Sequence, residues 1–264
     1  MMSNMKTISS VICTFILFLS AAAIAGQPES RGKVLKLTGD VEVIDVKGET
    51  RFIKNVDEPL NEMDTIVTKK DASIVVRFND GALSVLDEKS RLRVEKTSWF
   101  SYLGGKVSFT FKKVFDEDRR MIKTRAATIG VRGTTFIISE NNEQNGESVA
   151  LKEGLLQIES NGPAFEIHKQ RMLDEFEKFK LEQQKQRQEL QDEFVRYKQQ
   201  TMQEFVEYRR EFTLRPNRVI NLSGYRVDEA AMTESNKADF ESFETEAEDP
   251  IKNFRARSKG LIVQ

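Results

Sequence analysis

From about Lys33 to Ile167 short apolar runs alternate with polar positions, and turn residues cut them every eight to twelve positions. A period of two places alternate side chains on opposite sides of a strand, so this stretch predicts strands with a buried face. Val34-Leu35-Lys36-Leu37 runs into Gly39-Asp40, Val41-Glu42-Val43-Ile44 into Lys47-Gly48, and Ser73-Ile74-Val75-Val76-Arg77-Phe78 into Asn79-Asp80-Gly81. The last triplet is a hairpin signal, because Asn, Asp and Gly tolerate the positive φ of tight turns. The expected fold here is an all-β domain over residues 32–161, a sandwich, roll or short solenoid, complete before Gly162-Pro163.

At Gly162-Pro163 the period changes, and from Glu166 to Leu214 there is no Gly or Pro. Charged residues and Gln with spaced aromatics predict one long, coiled-coil-like α-helix over 166–214. Three units of the form Asp/Gln-Glu-Phe-x-x-Phe/Tyr recur at Asp174, Asp192 and Gln203, with offsets of 18 and 11 residues. Both offsets are close to whole numbers of helical turns, so the aromatics fall on one face. Phe176, Phe179, Leu190, Phe194, Tyr197, Phe205, Tyr208 and Phe212 form the candidate helix interface. Either the C-terminal segment covers this stripe or the helix self-associates as a homo-oligomer. Arg215-Pro216-Asn217 ends the pattern. Residues 217–264 read as an acidic segment, partly helical or ordered only on contact, in which Phe240 and Phe243 could dock on the long helix. Lys252, Arg255, Arg257 and Lys259 make a basic tail.

Ahead of the β-region, Lys6 precedes an uncharged stretch from Ile8 to Ala25 that closes on Ala23-Ile24-Ala25. Those features predict a signal peptide over residues 1–25, with an uncleaved anchor as the alternative. Cleavage would remove one Lys and the only Cys, leaving 40 basic and 42 acidic residues and no thiol. Disulfides and cysteine chemistry are then excluded. No second long apolar stretch follows, so no integral membrane segment is expected after cleavage, and the balanced charge argues against nucleic acid. The expected location is the periplasm or outside the cell.

Chemistry has few candidates. His168 is the sole histidine and has no supporting cluster in the sequence, and Asp116-Glu117-Asp118 lacks the ordered oxygen spacing of an EF-hand loop. No catalytic residue, metal or cofactor is expected. Arg132 between Gly130 and Gly133 could offer a fork to an anion or tie turns together through a carboxylate such as Asp80 or Glu153. Trp99-Phe100-Ser101-Tyr102 reads either as an exposed recognition patch or as the cap of a β-core.

Several separated motifs recur in order: Leu37-x-Gly39-x-Val41, Asp64-Thr65-Ile66-Val67-Thr68, Phe78-Asn79-Asp80-Gly81-Ala82, Gly105-Lys106-Val107, Thr124 to Phe136 with Val131-Arg132-Gly133-Thr134, and Glu153-Gly154-x-Leu156-x-Ile158. Together they make the region from about Gly32 to Ser160 resemble the FecR-like domain family, named for an iron-transport regulator of Gram-negative bacteria. Met63 stands where that family usually has Gly, and Arg125 where it often has Pro. The resemblance implies a non-catalytic extracytoplasmic interaction module whose partner is a protein or a cell-wall polymer. Arg132, Gly133, Thr134, Asp80 and Gly81 are its candidate interaction or turn-fixing residues. The first expectation is an envelope scaffold with a helical spacer. The alternatives are a periplasmic co-sensor that signals to a sigma factor or an outer-membrane receptor, and an envelope hydrolase.

Overall fold

A computed structural model describes residues 29–95, 99–111, 120–141, 145–169 and 206–260. The leader over residues 1–25, Asp116-Glu117-Asp118, and Phe176, Phe179, Leu190, Phe194, Tyr197 and Phe205 lie outside these residues.

The described chain is mostly strand. Up to the middle of the chain come β1 (Ser30–Thr38), β2 (Val41–Ile44), β3 (Thr50–Phe52), β4 (Pro59–Asn61), β5 (Thr65–Thr68), β6 (Ser73–Phe78), β7 (Leu83–Leu86), β8 (Arg91–Val94), β9 (Trp99–Gly104), β10 (Lys106–Thr110) and β11 (Arg120–Lys123). Two long strands follow, β12 (Ala127–Asn141) and β13 (Gly146–Ser160). After them come β14 (Phe165–Lys169), β15 (Val206–Arg209), β16 (Glu211–Leu214), β17 (Arg218–Ser223), β18 (Arg226–Ala231) and the helix α1 (Glu234–Gly260).

Pairing divides the strands into two layers that share β12 and β13. In the first layer β1, β6, β7, β10 and β12 lie side by side, all antiparallel. It continues through β13, β17 and β18 to β14, the last pair being parallel. In the second layer β2, β5, β8 and β9 lead to β11 and β12, with β9 and β11 parallel, and β13 passes on to β16. The N-terminal part of β12, Thr128–Val131, pairs with β11, whereas its C-terminal part, Thr135–Ser139, pairs with β10. In β13, Glu147–Leu151 pairs with β17 and Leu156–Glu159 with β16. Strands that pass between layers do so at bulges, and the register of β12 against β13 shifts between Arg132 and Phe136.

One apolar core fills the space between the layers, drawing Val34, Ile74, Phe136, Val149 and Ile220 from the first and Ile66, Leu92, Ile122, Ile129 and Ile158 from both parts of the second. At its centre lies an aromatic cluster. Phe100 sits 4.6 Å from Phe78, and Phe109 stacks on Phe136 at 5.3 Å. Trp99-Phe100-Ser101-Tyr102 is therefore chiefly a core strand: Phe100, Ser101 and Tyr102 are buried, and only Trp99 is partly open.

A second, smaller core lies outside the first layer. Leu35, Val75, Val85, Ile137, Ala150 and Val219 point away from the main core and are covered by Phe240, Phe243 and Ala247 of α1. Lys106 to Asp239 at 2.8 Å and Lys152 to Glu244 at 2.5 Å pin the helix, and Ser73 donates a hydrogen bond to Glu246. The acidic segment thus docks on the sheet, where basic residues meet its carboxylates, instead of on a second helix.

The expected helix over 166–214 is corrected at both ends. Glu166 and His168 lie in β14, and Tyr208 and Phe212 lie in β15 and β16. Tyr208 is 70% exposed, while Phe212 packs edge-on against Phe165 at 5.7 Å. Neither residue therefore belongs to a helical stripe. Helix propensity is a weak prior beside ladder pairing, and here β14 bonds β15 while β13 bonds β16. The period-two pairs Phe165/Ile167 and Phe212/Leu214, all part of or packed on the main core, carry the strand signal. The sheet accordingly continues past Asn161.

Candidate functional site

The two shared strands form a long hairpin with a corner in its middle and a cleft beside its turn end. At the corner, Gly133 and Gly154 both have positive φ, 62° and 88°. A Cβ on Gly154 would run into the Gly133 carbonyl oxygen and the Thr134 backbone. Only glycine satisfies both conditions, which explains the Glu153-Gly154 motif physically. Thr134 is buried, and its carbonyl accepts the Phe111 N–H at 2.8 Å. Arg132 lies exposed on β12, opposite Leu155, and makes no hydrogen bond or ion pair to the described residues.

The Asp80-Gly81 turn is secured by a different arginine. Arg120 Nε lies 3.0 Å from Asp80 Oδ2, and Arg120 Nη2 donates to the Asp80 carbonyl at 2.7 Å. Asp80 Oδ1 accepts the Ala82 N–H at 2.9 Å, and Gly81 takes φ 82°. The Arg120 guanidinium also lies 5.4 Å from the Phe111 ring centre. The structure therefore pairs Asp80 with Arg120, the cross-strand neighbour of Val131, and not with Arg132.

Met63, which stands where the resembling family has Gly, takes φ 68°. Its turn keeps the left-handed backbone that glycine favours, and the side chain is accommodated there at some strain. Asp64 is buried next to it and accepts from Asn61 N at 2.9 Å and Arg51 Nη2 at 3.2 Å.

Beside the turn end of the hairpin lies a cleft of about 440 Å³ between β9, the 124–127 turn, the last residues of β12 and the first residues of β13. The turn is closed by Thr124 N–H to the Ala127 carbonyl at 2.8 Å and by Ala127 N–H to Thr124 Oγ1 at 3.1 Å. It presents the Arg125 N–H to Glu147 Oε1 at 3.1 Å. Glu147 is only 5% exposed, and its other oxygen, Oε2, has no hydrogen-bond partner among the described residues. Glu140, exposed, is its direct cross-strand partner. Tyr102 lies buried in the cleft floor and donates to the Gly105 carbonyl at 2.7 Å. Burial above all, reinforced by Glu140 and Glu147 and opposed by Arg125, pushes its phenol far above the usual range, so it stays a neutral donor. Sequence reasoning missed Glu140 and Glu147. Counting evenly outward from Asn141 opposite Gly146 puts them face to face, a signal present in the hairpin itself.

His168 Nε2 lies 2.7 Å from Glu166 Oε1 on the same strand. Among the described residues no three His, Cys, Asp or Glu side chains gather into a metal-binding group. Among those residues no helix is long and apolar enough to cross a membrane.

Residues 64–157 match the family model described as FecR protein, and this stretch is a FecR-like domain. It spans the second-layer strands from Asp64, the Asp80 turn, the corner and the cleft. No curated protein matches the chain. Among solved structures, a candidate anti-sigma factor from Parabacteroides distasonis ATCC 8503 aligns at 12% identity and a TM-score of 0.43, over 67% of this chain and 63% of that one. A second such structure from that organism aligns at 15% identity and a TM-score of 0.41, over 63% and 59%. A cell surface anchoring domain aligns at 27% identity and a TM-score of 0.24, over 25% of this chain and 87% of that one. The chain thus spans less than two thirds of either candidate anti-sigma factor.

Proposed function

We propose that this chain is a partner-binding component of FecR-type signalling outside the cytoplasm, in which its β-body contacts an outer-membrane receptor or a regulator of a sigma factor. The observation that carries the reading is the FecR match over residues 64–157, which includes the corner and the cleft. The leader pattern over residues 1–25 agrees with an extracytoplasmic place, and no chemistry is required of the site. The scaffold reading rested on a helical spacer over 166–214, and that spacer is strand at both its ends.

Chemical crosslinking of the chain from Gly26 to an envelope fraction, followed by identification of what is retained, tests this reading. Retention of a receptor or a sigma-factor regulator is expected. Retention of wall polymer alone, or of further copies of the chain alone, contradicts it.

A further inference from the structure

We propose that the cleft bounded by Tyr102, Glu140 and Glu147 receives a basic side chain, arginine or lysine, from the partner protein. This inference rests on the partner-binding reading above and names the chemistry of the contact. Two carboxylates directly opposite on neighbouring strands repel each other, with their Cβ atoms ~5 Å apart. Neither Glu140 nor Glu147 forms an ion pair with a described residue, although two basic residues line the same cleft. Arg125 donates its guanidinium to the Asn145 carbonyl at 3.0 Å, and the Lys123 ammonium lies 5.0 Å from the Trp99 ring centre.

Burial makes the arrangement costly. Glu147 is more than nine-tenths buried, and one of its oxygens faces no donor; a buried carboxylate left without a partner loses its hydration without recompense. Tyr102 cannot supply the missing hydrogen bond, because its O–H is committed to the Gly105 carbonyl. A positive group that carries several N–H donors would complete the site. A guanidinium meets both requirements best, since its planar fork can reach two carboxylates at once. An ammonium meets them with one compact charge.

Amide NMR of the chain from Gly26, titrated with N-acetyl-arginine methylamide, its lysine counterpart and its neutral norleucine counterpart, tests the assignment. Arginine methylamide should shift the amides of Arg125, Gly146 and Glu147 saturably, lysine methylamide more weakly, and norleucine methylamide not at all. Glu147→Gln should weaken arginine binding at least tenfold without lowering Tm, because glutamine keeps the acceptor for Arg125 N–H and removes a charge that has no partner. Glu140→Gln, at an exposed position, is the second variant and should weaken it several-fold. Equal shifts with norleucine, no shift with arginine, or unchanged binding in both variants would overturn the proposal. Partner capture separates the two readings. Capture that survives both substitutions overturns the cleft as a contact and leaves partner binding standing. A chain that binds arginine methylamide but retains no signalling protein overturns the partner reading and leaves the preference of the cleft for a basic group.

Discussion

The two layers share one core but differ on their outer faces. On the first layer the outward positions of successive strands are Leu35, Val75, Val85, Ile137, Ala150 and Val219, all roofed by α1. On the second layer the positions that alternate with core Leu92, Ile122 and Ile158 are Arg91, Arg93, Met121, Lys123, Gln157 and Glu159, left open to solvent to differing degrees. The lesson lies in the run length of apolar residues. Ile74-Val75-Val76, Phe136-Ile137-Ile138 and Val149-Ala150-Leu151 are buried on both faces, whereas Arg91-Leu92-Arg93-Val94 is buried on one. The outer face of the roofed layer is covered, and no residue of α1 lines the cleft.

Removing the roof locally should give the largest effect of a single substitution. Phe240 is fully buried between α1 and the sheet, so Phe240→Ala should cost about 3–5 kcal/mol, read as a lower midpoint in urea unfolding. An effect as small as that of an exposed surface change would mean that the helix does not roof the layer. The corner joining the layers should be next. Gly154→Ala places a Cβ against the Gly133 carbonyl in a backbone with φ 88°, and should cost about 1–3 kcal/mol. A neutral result in the same unfolding measurement would show that the hairpin can turn from one layer to the other without that close approach.

Much of the β-architecture was legible because alternation and turn chemistry are local. The apolar triplets even announce a second covered face, but not its cover. Phe240 and Phe243 sit in a segment with a suitable apolar spacing for several partners, and residues distant in sequence, Ser73, Lys106 and Lys152 among them, tie it to the sheet. The misread ends of the helix expected over 166–214 have the same origin: the charged composition favours a helix, while the partners that make strands of Phe165–Lys169 and Glu211–Leu214 lie far away in sequence. At the turns, Asp80 and Gly81 are readable as a hairpin, but the choice of Arg120 over Arg132 as the partner of Asp80 depends on how β11 lies beside β12. Met63 shows the limit of a motif departure, since the turn keeps its left-handed conformation with a different side chain.

The central structural claim is that the strands after Asn161 belong to the same cooperative body as those before it. A chain running from Gly26 to Asn161 tests this most directly, compared with the full-length counterpart by thermal melting and near-ultraviolet circular dichroism. Without β16, β17 and α1, the strand β13 loses both of its outer partners, and Ile137 and Ala150 lose their cover. The account predicts no cooperative melt and no native aromatic signal for the shortened chain. A sharp melt with the native aromatic signal retained would contradict it.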